Sequence, residues 1–250
     1  MKAMILAAGL GTRLRPLTNN KPKALVEVAG RTLLEITIAR LRSFGVSEVI
    51  VNVHHFAEAV AAYLEEHDNF GMRIEVSREE VLLDTGGGLK KAAWFFLEGG
   101  SDQPFLLHNV DVLSAIDLVG MAVAHGKSAA LATLAVQERT SSRQLLFDQG
   151  GRLCGRRAGR DSADEIVCSS PALNPLAFCG IHVISPRLLE LMTEEGVFSI
   201  IDTYLRLAAD GEKIQAFRSD ESYWRDLGKP EQLRQAARDF DNNLVGRGLR

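Results

Sequence analysis

The residues best placed by type and spacing to do chemistry lie at the front of the chain. An apolar run at 3–8 empties into Gly9-Leu10-Gly11-Thr12-Arg13, and Arg15, Lys21 and Lys23 follow. Glycines let the backbone approach a bulky anion and turn its N–H groups toward the anion's oxygens. Cations directly after such a loop suggest a triphosphate cradle. Leu14 stands where a dinucleotide fingerprint would place its third glycine, and no Gly-Lys-Ser/Thr follows, so the loop is neither of those motifs.

Three further constellations carry polar groups. Leu83-Asp84-Thr85-Gly86-Gly87-Gly88 opens a helical pattern. Thr85 is expected to cap that helix, and the glycines to admit a flat ring or ribose close to the backbone. His108-Asn109-Val110-Asp111 follows a strand-like run, which puts Asp111 just beyond a strand's carboxyl end, where open α/β sheets bind ligands. Trp224-Arg225-Asp226-Leu227-Gly228-Lys229-Pro230 brings a second carboxylate, 226 − 111 = 115 positions later. The pair His54-His55 ends a strand and has no third ligand nearby, so it reads as a loop or capping pair rather than a metal site.

These groups need a scaffold, and the chain alternates strand-like and helix-like patterns. Strands are expected at 48–53, 73–76, 104–108 and 129–136, with helices at 31–44, 56–66 and 88–97. Such βαβ units mean a mostly parallel sheet. Beyond residue 140 the texture changes. Runs at 143–147 and 152–156 flank Asp148-Gln149-Gly150-Gly151, a hairpin signal, and 159–175 reads as a polar loop. A strand at 177–184 is followed by helices at 186–192 and 200–209, strands at 214–217 and 222–224, and a helix at 230–239 with proline in its first turn. Residues 1–240 read as one domain and 241–250 as a frayed tail.

Composition narrows the class. The chain has 250 residues, 46% hydrophobic and 24% charged, with a formal charge of −3, so no nucleic-acid or membrane partner is expected. No apolar run reaches the roughly 20 residues of a membrane span, and the start lacks a signal-peptide pattern. Three scattered cysteines, Cys154, Cys168 and Cys179, without CxxC spacing argue against a disulfide framework and a zinc site, and toward a reducing cytoplasm.

The string from Ala7 to Thr18, followed by Lys21-Pro22-Lys23, resembles the signature of the sugar-1-phosphate nucleotidyltransferases. That family includes mannose-1-phosphate guanylyltransferases, glucose-1-phosphate thymidylyltransferases and N-acetylmuramate-1-phosphate uridylyltransferases. The resemblance extends from Met1 to about Leu233. It implies an α/β fold with a Rossmann-like, mixed and mostly parallel sheet flanked by helices, of the nucleotide-diphospho-sugar transferase type, with a small β-rich sugar-binding portion. It further implies that Ala7, Ala8, Gly9, Gly11, Thr12 and Arg13 hold the nucleotide's phosphates. Arg13 would stabilise leaving pyrophosphate, and Lys23 would sit at the α-phosphate or the sugar phosphate. Asp84, Thr85, Gly86 and Gly87 would meet base and ribose; Asn109, Gly180 and Trp224 the sugar phosphate; Asp111 and Asp226 a Mg²⁺ ion. Arg143 and Gln144 fall in a segment that in the family often contacts the sugar phosphate.

The chain departs from the family at Val110, where a glycine is usual, and at Lys229, where a threonine is usual. Val81 stands where guanylyltransferases carry a glutamate suited to guanine, although Glu79 and Glu80 are close by. The expected reaction joins an NTP and a sugar 1-phosphate. UTP with N-acetylmuramate 1-phosphate is the first expectation and GTP with mannose 1-phosphate the second. A monomer or small homo-oligomer making sugar nucleotides for cell wall or polysaccharide is implied. A non-catalytic sugar-nucleotide sensor is the rival from another class, and a NAD-dependent oxidoreductase is disfavoured by the missing third glycine.

Overall fold

The computed structural model describes residues 1–100, 102–159 and 163–241. The expected tail therefore lies, apart from its first residue, outside the described residues. In chain order, β1 (Lys2–Leu6) leads into the glycine loop, and β2 (Glu27–Val28) and β3 (Arg31–Thr32) form a small ribbon before α1 (Leu33–Ser43). Next come β4 (Glu48–Val53), α2 (Ala57–Glu66), β5 (Arg73–Arg78), α3 (Asp84–Lys91), α4 (Ala93–Leu97), β6 (Phe105–Asn109), β7 (Val112–Ser114), α5 (Leu118–Ser128) and β8 (Ala132–Gln137). The second half holds β9 (Arg143–Phe147), β10 (Leu153–Ala158), β11 (Glu165–Ile166), β12 (Asn174–Ile184), α6 (Arg187–Leu191), α7 (Ile200–Ala209), β13 (Ile214–Arg218), β14 (Trp224–Asp226) and α8 (Pro230–Asp241).

Among the described residues ten strands share one mixed sheet. β6, β1, β4 and β5 lie side by side and parallel, with Ala3 opposite both Val49 and Leu106. β12 is the hinge of the topology: its last residues pair antiparallel with β6 and β8, and its first three pair with β9. An antiparallel arm, β9–β10–β11, thus grows from the parallel core sheet. Alternate residues of the central strands feed opposite faces. Ala3, Ile5, Val49 and Val51 join the apolar cluster under α1 and α2, while Met4, Ile50, Phe105 and Leu107 join the one under α4 and α7. Burial on both faces explains why these strands read as continuous apolar runs.

Four expectations are corrected. The helix expected from Gly88 starts at Asp84, so the three glycines lie inside it, and it breaks at Ala92 before α4. α5 falls outside the expected helices, because Gly120 and Gly126 mask its periodicity. Gly120 is suited to the helix start, because a Cβ there would fall 2.4 Å from Asp117 Oδ2, and its N–H donates to Asp117 Oδ1 at 2.9 Å. The loop expected at 159–175 contributes β11 and the first residues of β12. Finally, Cys154 and Cys168 form a disulfide. Pairing of β10 with β11 folds the segment back, so that Val167 N–H donates to the Cys154 carbonyl at 2.8 Å and the two Cα atoms lie 4.7 Å apart. An odd cysteine count leaves room for one pair, so cysteine usage does not point to a reducing compartment. Among the described residues no helix is long and apolar enough to cross a membrane.

Candidate active site

The site lies at the carboxyl ends of the parallel strands, where β1, β4 and β6 release their chains. A cavity of about 440 Å³ is walled by Ala7, Ala8 and Gly9 from the loop after β1, by Asn52 from β4, by Leu82, Asp84 and Thr85 at the start of α3, and by Lys23, Asn109, Val110, Asp111 and Val197. Asp84, Thr85 and Asn109 also line a second cavity of about 680 Å³, bounded by Arg143, Gln144, Arg156 and Arg157 of the antiparallel arm and by the start of α7. The two cavities share a wall, so they can receive two reactants side by side.

The glycine loop is braced from behind. Gly11 adopts φ +64°, and Thr18 Oγ1 donates to its carbonyl at 2.8 Å. A Cβ on Gly11 would meet Thr18 Cγ2 at 3.0 Å and Lys23 Cβ at 3.1 Å, so the loop closes down on the buried stem of Lys23. The Lys23 ammonium donates to Asp111 Oδ2. A cation and an acid thus face the cavity as a pair. Thr12 and Arg13 are exposed in a 3₁₀ turn beyond the cavity wall. Arg13 reaches Gly228: a Cβ there would lie 2.9 Å from its Nη2 and 2.8 Å from Asp226 Oδ1. The guanidinium and the second carboxylate therefore crowd one point.

Asp226 arrives beside Asp111 because β14 pairs antiparallel with β7, with Asp226 opposite Val112. Its Oδ1 accepts the Gly228 N–H at 2.7 Å. Behind it Arg225 donates to Asp239 Oδ2 at 2.7 Å and to Gln232 Oε1 at 2.8 Å, tying β14 to α8. Burial pushes the Asp239 carboxyl up, but hydrogen bonds from Tyr223, Gln235 and Arg225 together hold it below its usual range. Val110, in place of a glycine, donates its N–H to the Leu6 carbonyl at 3.1 Å and buries its side chain among the apolar residues of α1 and β7.

The donor set suits a hard divalent cation. Asp111 lines the cavity and Asp226 stands on the neighbouring backbone ladder, each carboxylate with one oxygen outside the bonds just named, and among the described residues no cluster of three His, Cys, Asp or Glu could hold an ion alone. Mg²⁺ prefers such sites, completing its shell with water and substrate phosphate oxygens. Asp111 and Asp226 would be its protein ligands.

Other expected residues serve the cavity by packing and capping around it. Gly86 and Gly87 are buried in α3, where added Cβ atoms would fall 2.4 Å from the Phe198 ring and 2.4 Å from the Gly196 carbonyl oxygen. They let the 196–198 segment pack on the helix and do not open the backbone to a ring. Thr85 does not cap its own helix: its Oγ1 accepts the Ile200 N–H at 3.0 Å and so caps α7. Gly180 sits at an irregularity of β12 with φ +74°, and a Cβ there would be 2.8 Å from Asn109 Nδ2. Trp224 lies behind Gly180; its indole N–H donates to the Cys179 carbonyl at 2.8 Å, and the Arg139 guanidinium covers its ring at 3.8 Å. Gly180 and Trp224 thus set the position of Asn109 through the shape of β12. Asn52, Leu82 and Val197 join the cavity wall in addition to the expected residues. Nothing local distinguishes them, since only the ends of β4 and the approach of α7 bring them to the cavity.

A two-faced α/β sheet, with a glycine loop, lysine and paired acids at its carboxyl edge, defines a nucleotide-handling transferase fold. The nucleotidyl transferase family matches residues 2–144. An N-acetylmuramate alpha-1-phosphate uridylyltransferase of Caulobacter vibrioides is 36% identical over 240 residues, 92% of either chain. The mannose-1-phosphate guanylyltransferase catalytic subunit beta of Dictyostelium discoideum is 28% identical over 92% of this chain and 62% of its own length. In three dimensions, HddC of Yersinia pseudotuberculosis, crystallised with GMP-PN, superposes with a TM-score of 0.73 at 21% identity, covering 96% of this chain and 99% of that one. The chain belongs to the sugar-1-phosphate nucleotidyltransferase family.

Proposed function

We propose that the chain transfers a nucleotidyl group from UTP to N-acetylmuramate 1-phosphate, or a similar hexose 1-phosphate, with Mg²⁺. The reading is carried by the shared wall of the two cavities: Lys23 and Asp111 flank the first, Asn109 stands at the junction, and the arginines of the antiparallel arm line the second. In the reaction a sugar-phosphate oxygen attacks the α-phosphorus. A new P–O bond forms, the bond from the α-phosphorus to the bridging oxygen breaks, and pyrophosphate leaves. The attacking oxygen is already ionised at pH 7, so no general base is needed. The obstacle is repulsion between anions, which Lys23 beside Asp111 and Arg13 beside Asp226 offset while holding the reactants aligned. A Mg²⁺ bound by Asp111 and Asp226 would supply further charge neutralisation on the phosphates.

Two observations support the substrate pair. Glu79 spends both carboxylate oxygens on protein N–H groups and is not free to read guanine. Arg143 lines the second cavity and has no ion-pair partner among the described residues, which suits the lactyl carboxylate that N-acetylmuramate carries. The Caulobacter vibrioides relative agrees with this choice. The product would be an activated sugar for cell-wall or polysaccharide assembly. A matrix of four NTPs against hexose 1-phosphates, scored by pyrophosphate release, tests the proposal. The highest kcat/KM is expected for UTP with N-acetylmuramate 1-phosphate. Release with GTP and mannose 1-phosphate alone would overturn the substrate choice, and nucleotide binding without release would favour a sensor.

A further inference from the structure

We propose that Glu79 is the positioning residue that sets both walls of the nucleotide cavity, an inference that rests on the nucleotide occupying that cavity. Glu79 is 4% exposed and stands just beyond β5. Its Oε1 accepts from Asn52 Nδ2 at 2.7 Å, and its Oε2 accepts the backbone N–H of Leu83 at 2.9 Å. Asn52, 2% exposed, turns its Oδ1 to the backbone N–H of Ala7 at 2.8 Å. A continuous chain of hydrogen bonds therefore runs from Ala7, where the glycine loop begins, through Asn52 and Glu79 to Leu83, next to Asp84 and Thr85. One end fixes the phosphate side of the cavity and the other its opposite wall.

The direction of this chain is forced. Both ends are main-chain N–H groups, which can only donate. Asn52 must therefore aim its oxygen at Ala7 and its NH₂ at residue 79, and residue 79 must accept twice. A carboxylate does this, whereas a glutamine would turn an NH₂ toward one of the two donors and leave it unpaired in a buried place. The arrangement also accounts for the third glycine of α3. A Cβ on Gly88 would fall 2.7 Å from Glu79 Oε1 and 2.8 Å from Asn52 Nδ2, so any side chain there would push into the relay.

The logic predicts its own rescue. In the exchanged pair Asn52→Asp with Glu79→Gln, Asp at 52 accepts from Ala7 N–H and from the Gln amide, while the Gln oxygen accepts from Leu83 N–H. Every group is paired again, with net charge unchanged. The experiment measures KM for UTP, KM for the sugar 1-phosphate, and UTP affinity by calorimetry, in the wild type, both single variants and the double variant. Each single variant is expected to raise KM and Kd for UTP at least about tenfold, through one unpaired buried donor in Glu79→Gln and through two facing carboxylate oxygens in Asn52→Asp, with KM for the sugar phosphate moving less than about twofold. The double variant is expected to return UTP affinity to within about threefold of the wild type. Gly88→Ala, which intrudes on the relay without altering its donors, is expected to weaken UTP in the same selective way and serves where a single variant does not fold. A purely structural role would lower the thermal midpoint while leaving KM of the folded enzyme unchanged. Single variants that bind UTP like the wild type, or a double variant no better than the weaker single one, overturn the inference. A wild type that binds no nucleotide overturns the site assignment and the inference with it.

Discussion

The Leu227 N–H donates to the Asp111 carbonyl at 2.8 Å. This bond continues the β7–β14 ladder past Asp226 and fixes the backbone of one acidic residue beside the other. Asp226 is therefore held on a strand, and Asp111 in the two-residue turn between β6 and β7, tied to that strand by this bond. Asp111→Asn and Asp226→Asn are each expected to lower kcat at least about a hundredfold by weakening a charge aligned with the reacting phosphates. Far-ultraviolet circular dichroism should remain that of the wild type. Chelation with EDTA should abolish turnover, and added Mg²⁺ should restore it. Full activity in either variant would remove that acid from the site.

How much of this was legible in the sequence depends on the range over which each signal acts. The glycine loop, Lys23 and the acid after β6 are local patterns, and the strand-helix alternation set the parallel sheet around them. Asp226 could be paired with Asp111 only through family resemblance, because the ladder joining them is a contact between distant segments. The same limit hid the disulfide, which depends on β10 pairing with β11, and the true partner of Thr85, which lies on another helix. Gly86, Gly87 and Gly88 invited a ligand reading because glycine's missing side chain looks alike in sequence whether a ring, a helix or a buried carboxylate fills the space. Gly120 and Gly126 hid α5 for the opposite reason, by breaking the apolar periodicity that marks a helix.

Gly180 offers a test of how β12 shapes the sugar side. Its φ of +74° is left-handed, and a Cβ would lie 2.8 Å from Asn109 Nδ2 and 2.9 Å from Val112 Cγ2. Gly180→Ala adds backbone strain of about 1–3 kcal/mol and displaces Asn109. A lower thermal midpoint and a KM for the sugar 1-phosphate raised more than that for UTP are expected. Steady-state kinetics with each substrate varied in turn distinguish this from a general loss.

Thr85 makes a separable prediction about stability. Its hydroxyl oxygen satisfies the first N–H of α7, while Ser199 Oγ accepts the next, from Ile201, at 3.2 Å. Thr85→Val keeps the shape and removes the acceptor. It is expected to cost about 1 kcal/mol, read as a fall of roughly 2–4 °C in Tm, whereas Thr85→Ser should remain near the wild type. Equal midpoints for the Val and Ser variants would mean that α7 does not depend on this cap.

Two histidines beneath the site set the acid limit of the fold. His108, wholly buried on β6, is pushed down to about 4 by burial and then by the nearby Arg40 guanidinium. His182, whose Nδ1 lies 2.8 Å from the Tyr204 hydroxyl, is pushed down to about 3 by burial and by His108. Both are neutral in the folded protein, whereas in the unfolded chain they take up protons below about pH 6.5. Between pH 6.5 and about 4 the unfolded state therefore binds more protons, and its free energy falls relative to the fold. Stability is expected to be unaffected by these groups above pH 7, and to drop by a few kcal/mol in total from pH 6.5 to 4, flattening below the folded values. Urea melts across this range measure the slope. His108→Gln should reduce the slope whatever it does to stability at pH 8, since the variant has one fewer proton to take up on unfolding. A slope unchanged by that substitution would show that His108 does not titrate between the two states.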